Sequence, residues 1–124
     1  MDNVAIQLDV DKGFGARVYR AAKMAHEVGR VYKDSIGEEA GPHFEELDPD
    51  QAASILAGVL LVCESELTGF DLDEEDLHTA WADAQIRQGV MDHPNLVPFD
   101  ELEEEQQAKD TLFLNTVRVA LALP

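Results

Sequence analysis

The sequence predicts an all-α fold: a compact four-helix domain preceded by a short extended arm. Three observations carry that reading. Apolar residues recur every three or four positions in four separate stretches, Gly and Pro fall between those stretches, and acid or Pro stands where helices should begin. Residues 1–10 form the arm and residues 11–124 a single helical domain, with no linker, repeat or low-complexity stretch to divide it.

In the arm, Val4, Ile6, Leu8 and Val10 alternate with polar or small residues, the period of a half-buried strand. No partner strand follows in the sequence, so the arm is expected to act as an edge strand between subunits. From about Gly15 to Ile36, Val18, Ala21, Ala22, Ala25, Val28, Val31 and Tyr32 define one helical stripe, closed by Gly37 and Gly41-Pro42. Asp48-Pro49-Asp50-Gln51 supplies an N-cap acid, Pro at the first helical position and Gln at the third. The helix it opens runs to about Leu67. It is apolar nearly all round from Ile55 to Cys63 and is expected at the centre of the bundle. Asp71 and Glu74 have capping-box spacing and should open a third helix, with Leu77, Trp81 and Ala84 on its apolar side and its end near Gly89. The fourth follows the Pro98 turn and carries Leu112, Phe113, Val117, Ala120 and Leu121.

The 26 acidic and 9 basic residues give a net charge of −17, which disfavours contact with nucleic acid or anionic lipid. Six of the basic residues (Lys12, Arg17, Arg20, Lys23, Arg30 and Lys33) lie in one N-terminal segment, whereas residues 34–86 hold fifteen acids and no Lys or Arg. Such segregation can orient a homodimer. The longest apolar run, Ala57 to Cys63, is short of the roughly 20 residues that span a bilayer. Met1-Asp2-Asn3-Val4 lacks the basic start of a secretory signal, so a cytoplasmic location is expected. The single cysteine, Cys63, reads as a buried thiol.

Catalytic and metal signatures are mostly lacking. Asp71, Asp73 and Glu75 have calcium-loop spacing, but Asp76 stands where the turn needs Gly and Ala82 where the loop needs Glu. Glu75 and His78 make one Glu-x-x-His where a di-iron bundle needs two. No phosphate-binding Gly loop or nucleophile elbow occurs. The expectation is a protein without catalytic residue, metal or cofactor. What stands out is a constellation: His78 and Trp81, then Asp92-His93-Pro94-Asn95-Leu96-Val97-Pro98-Phe99-Asp100, then Lys109-Asp110. The two prolines stiffen the connection, which either is structural, pinned onto the Trp81 face, or lines a site; the residues alone favour the structural role.

The stretch Leu77-His78-Thr79-Ala80-Trp81, with His93-Pro94-Asn95-Leu96-Val97-Pro98-Phe99-Asp100-Glu101-Leu102 and Lys109-Asp110, resembles the RyR domain, the repeat of ryanodine receptors. Ala22, His26, Glu27 and Arg30 are similar to the first helix of stand-alone bacterial and phage members. The resemblance implies a mainly helical, non-catalytic, ligand-sensing module that takes a nucleotide-derived signal. For a phage copy working in the host cytoplasm, it implies capture of a host immune signal.

On this reading the site joins His26, Arg30 and Lys33 of the first helix to His78, Trp81, His93, Phe99 and Lys109, in a pocket between that helix and the His93-Pro94 connection with Trp81 beneath. Arg30 is the favoured cation because its planar fork can hold phosphate through two parallel hydrogen bonds. The competing reading is an acidic protein-protein interaction protein, either an assembly component or a decoy that mimics DNA.

Overall fold

The computed structural model describes residues 12–124. The arm at residues 1–10 lies outside them. Four helices, α1 (Lys12–Ser35), α2 (Pro49–Thr68), α3 (Glu74–Arg87) and α4 (Glu104–Ala122), are joined with two short 3-10 turns, Phe44–Glu46 and Phe99–Glu101. The all-α expectation is met: the described residues contain four helices and no strand.

α1 and α4 form the axis of the bundle and run antiparallel. Near the start of α1, Arg20 donates to the backbone oxygens of Ala120, Leu123 and Pro124, and near its end the Tyr32 hydroxyl donates to Glu105 O. Small residues permit the close approach: Val18, Ala21, Ala22 and Ala25 of α1 are buried, with Leu114, Val117 and Ala120 of α4. Arg20 also places a cation where the unpaired carbonyls of a helix C-terminus accumulate negative charge. α1 ends as its glycine requires. Gly37 lies at φ 85, and Glu38 N–H donates back to Lys33 O at 2.9 Å.

α2 begins as predicted, with Asp48 accepting from Gln51 N–H at 2.9 Å and Pro49 in the first turn, and Gly69 at φ 77 closes it. Its placement differs from expectation. Only Val59, Val62, Cys63 and Ser65 are buried, and Leu67 is 82% exposed. Both α2 and α4 touch all three other helices, but the most extensive contact in the bundle is between α1 and α4, so the centre is α4 packed along α1 and not α2. An apolar circumference cannot choose between the centre and the flank; the small-residue stripe of α1 and Gly58 of α2, which faces the Phe113 ring, decide it. By length and composition α2 is sufficient to cross a membrane, with 20 residues at mean hydropathy 1.3, because it extends well beyond its short apolar run. Here one of its faces belongs to the core.

α3 starts two residues later than its predicted cap. Asp73, not Asp71, is the N-cap, and it exchanges hydrogen bonds with Asp76 at 2.9 and 3.2 Å. Several acids here satisfy the spacing, and the observed backbone favours the later pair. Leu72, just outside, is buried, and its carbonyl accepts from Arg118 of α4 at 2.9 Å.

Candidate functional site

The eight expected site residues separate into two groups. His26, Arg30, Lys33 and Lys109 surround one pocket, walled by Ala25 and Gly29 of α1, Ile55 of α2, and Leu112 and Phe113 of α4. His78, Trp81, His93 and Phe99 pack together on the α3 side of α4. The single pocket expected over Trp81 is therefore not formed. α2 supplies the third wall, and the 93–99 connection lies across the other side.

Positions 26, 30 and 33 share a face of α1 because they are spaced by four and three residues. Arg30 is only 21% exposed. Its Nε donates to Gly41 O and its Nη1 to Glu27 Oε1, both at 3.1 Å, so the planar fork is partly spent on holding the following loop. His26 does the same, donating from Nε2 to Pro42 O at 2.8 Å. Glu27 anchors this loop from below. It accepts from Phe44 N–H at 2.9 Å, from His43 Nδ1 at 3.0 Å and from Arg30. Those bonds to its charged form, the Phe44 amide foremost, hold its carboxyl at about 2.

Lys109 reaches the pocket from α4 and donates to Glu38 Oε1 at 2.7 Å. The other Glu38 oxygen accepts from Gln106 Nε2 at 2.7 Å, and Gln106 Oε1 accepts from Asn95 Nδ2 at 2.9 Å. This chain of contacts links the pocket to the 93–99 connection. The Lys109 hydrogen bond is the main cause that lowers the Glu38 pKa, and Lys33 adds to it through space. No carboxylate lies within ion-pair distance of Lys33 among the described residues. Sequence reading missed Glu38 and Gln106, since one acid among 26 and one helical Gln have no distinguishing local signal.

The second group is built as a structural clasp. His78 is buried, and its Nε2 donates to Val97 O at 2.7 Å, fixing the connection between the two prolines. The His78 ring stacks on Trp81, with centroids 5.6 Å apart and planes at 27°, and His93 meets the other aromatic edge-on at 5.1 Å. Trp81 is half-buried, less enclosed than its position beside Leu77 suggested, because His78 occupies the innermost place. With Nε2 engaged, His78 Nδ1 faces Asp110 Oδ2 at 3.7 Å. Burial pushes the Asp110 carboxyl up to about 6; His78 opposes the shift and Glu74 reinforces it. Glu74 itself accepts from the Thr111 hydroxyl at 3.2 Å.

Among the described residues no group of three or more His, Cys, Asp or Glu side chains is arranged to hold a metal ion. The pocket can offer positive charge beside an apolar wall, while the clasp sets the buried His78 against the partly exposed carboxyl of Asp110.

No curated protein and no solved structure matches the chain. The resemblance to the RyR domain is overturned, because the family model that matches is a different one and nothing else supports that kinship. Its carriers, the paired prolines, His78 and Trp81, are explained by the clasp: they fix a local turn and need not descend from a shared function. The matching model covers residues 31–122, from the end of α1 through α4, and the chain belongs to the family it describes, Domain of unknown function (DUF7701).

Proposed function

We propose that this protein is a non-enzymatic binding module that takes a small anionic molecule in the pocket between α1, α2 and α4. The observation that carries this reading is the convergence of Arg30, Lys33 and Lys109 on one concave site in a chain of net charge −17. Cations are scarce in this sequence, and three of nine gather where Ile55, Leu112 and Phe113 also provide apolar contact. The pocket encloses about 150 Å³, below the roughly 300 Å³ at which drug-sized sites begin. Of a nucleotide-derived ligand it would admit only one end. The phage setting and the host immune signal came from the overturned resemblance alone and are given up.

The test is a thermal-shift screen against small carboxylates, inorganic phosphate and mono-, di- and cyclic nucleotides, repeated on Arg30→Ala and Lys33→Gln. A ligand at 100 times its Kd adds about 2.7 kcal/mol of apparent stability. A shift for an anion in the wild type that both variants lose supports the reading; no shift across the panel refutes it.

A second reading, a protein-protein interaction role, is favoured by α2. Residues 51–63 carry no charged side chain, yet Ala53, Ala57 and Leu67 are exposed. Its simplest form is a homodimer, and sedimentation at low and high salt tests it: a contact through the uncharged α2 face persists, and a charge-oriented dimer dissociates, as the Debye length falls from about 10 Å at 0.1 M to about 3 Å at 1 M.

A further inference from the structure

Resting on the anion-binding reading above, we infer that the pocket selects small carboxylates with a compact apolar body, because Glu38 already serves there as an internal counter-ion. The charge count is the first observation. Arg30, Lys33 and Lys109 contribute three positive charges. Glu27 sits on Arg30 at 3.1 Å and Glu38 on Lys109 at 2.7 Å, so two of the three are already answered by this chain's own carboxylates. Lys33 is the cation left over among the described residues. One negative charge completes the site. A phosphate monoester brings about −1.5 to −2 near neutral pH and overfills it as long as Glu38 stays.

Glu38 is held in place from two sides. Gly37, in a left-handed conformation at φ 85, turns the chain back toward α4, and both Glu38 oxygens are then engaged, by Lys109 and by Gln106. Dislodging it would leave Gln106 Nε2 and Lys109 without their acceptor.

Shape is the second observation. Ala25, Ile55, Leu112 and Phe113 make the wall apolar, and about 150 Å³ is the size of cavity that accepts a benzene ring. A carboxylate carried on a ring or a branched alkyl group places its charge at Lys33 and at Arg30 Nη2, which has no hydrogen-bond partner among the described residues, with its body against Phe113. Neither a bare inorganic anion nor a whole nucleotide uses both features.

Isothermal titration calorimetry with phenylacetate, phenyl phosphate and inorganic phosphate tests this, at a pH above the second phosphate ionisation of about 6. Phenylacetate should bind the wild type at least about tenfold more tightly than phenyl phosphate, with inorganic phosphate weakest. Glu38→Gln keeps an acceptor for Lys109 but removes the charge, and should move the ratio toward phenyl phosphate by about tenfold or more. Lys33→Gln, at a half-exposed position outside the core, should weaken phenylacetate by a similar factor and so tests the same count should Glu38→Gln fail to fold. Phenyl phosphate binding the wild type as tightly as phenylacetate, an unchanged ratio in folded Glu38→Gln, or phenylacetate binding untouched by Lys33→Gln overturns the carboxylate preference. Should the three ligands fail to bind at all, or bind regardless of Lys33→Gln and Arg30→Ala, the anion-binding reading falls with it.

Discussion

Replacing Asp110 by Asn should leave the protein at least as stable near neutral pH and flatten its dependence on pH. The carboxyl titrates at about 6 in the fold, against about 3.9 in an unfolded chain. A raised carboxyl binds its proton more tightly when folded, so its stabilising contribution is complete below about pH 4 and is lost as pH rises through about 6. The difference of about two units, at 1.36 kcal/mol each, gives about 3 kcal/mol between those limits. Its cause is geometric. The side chain is 22% exposed, Glu74 lies near, and His78 has committed Nε2 to Val97, which leaves only Nδ1 toward Asp110.

Urea denaturation followed by the fluorescence of Trp81, the single tryptophan and the ring stacked on His78, supplies the assay. The quantity to compare is the stability of wild type minus Asp110→Asn, because other acids and the overall charge affect both proteins alike. That difference should fall by about 3 kcal/mol from pH 4 to 7.5. A difference that stays flat, together with a variant less stable than wild type at pH 7.5, would mean that Asp110 is a stabilising carboxylate in the fold, and would refute the raised titration.

Other expectations follow from the packing and the loop contacts. A Cβ on Gly58 would lie 2.9 Å from Phe113 Cζ and 3.1 Å from Cε1. Gly58→Ala should therefore cost about 1–2 kcal/mol by chemical denaturation, the clash outweighing a helix-propensity gain of about 1 kcal/mol, and Phe113→Leu should recover part of the loss. Removing the Arg20 hydrogen bonds to Ala120, Leu123 and Pro124 with Arg20→Gln should destabilise by about 1.5–3 kcal/mol and speed amide exchange at the end of α4. Glu27, held at about 2, stabilises the fold above the ordinary carboxyl pKa and loses that contribution as pH falls through about 2, so Glu27→Gln should blunt acid unfolding and raise exchange at Phe44 N–H. Trp81→Ala should cost less than the roughly 3–5 kcal/mol of a fully enclosed aromatic, since Trp81 is half-buried.

What the sequence determined by itself is whatever depends on neighbours a few residues away. The Val18-Ala21-Ala22-Ala25 stripe, the Asp48-Pro49-Asp50-Gln51 start and the stops at Gly37 and Gly89 are local properties of one helix, and they appear in the fold where the pattern puts them. Capping at Asp73 in place of Asp71 marks the limit of that reading, because several acids fit the same spacing. The spacing of His26, Arg30 and Lys33 likewise placed them on one face. Which element would complete their pocket was a tertiary matter. α2 took the flank that Lys33 and Phe113 look onto, the 93–99 connection was clasped by His78 on the far side of α4, and Glu38 came to Lys109 across 71 positions of sequence. Contacts at that separation depend on how closely small residues let α1 and α4 approach and on where the remaining apolar faces can then be buried, and neither quantity is encoded in a local pattern.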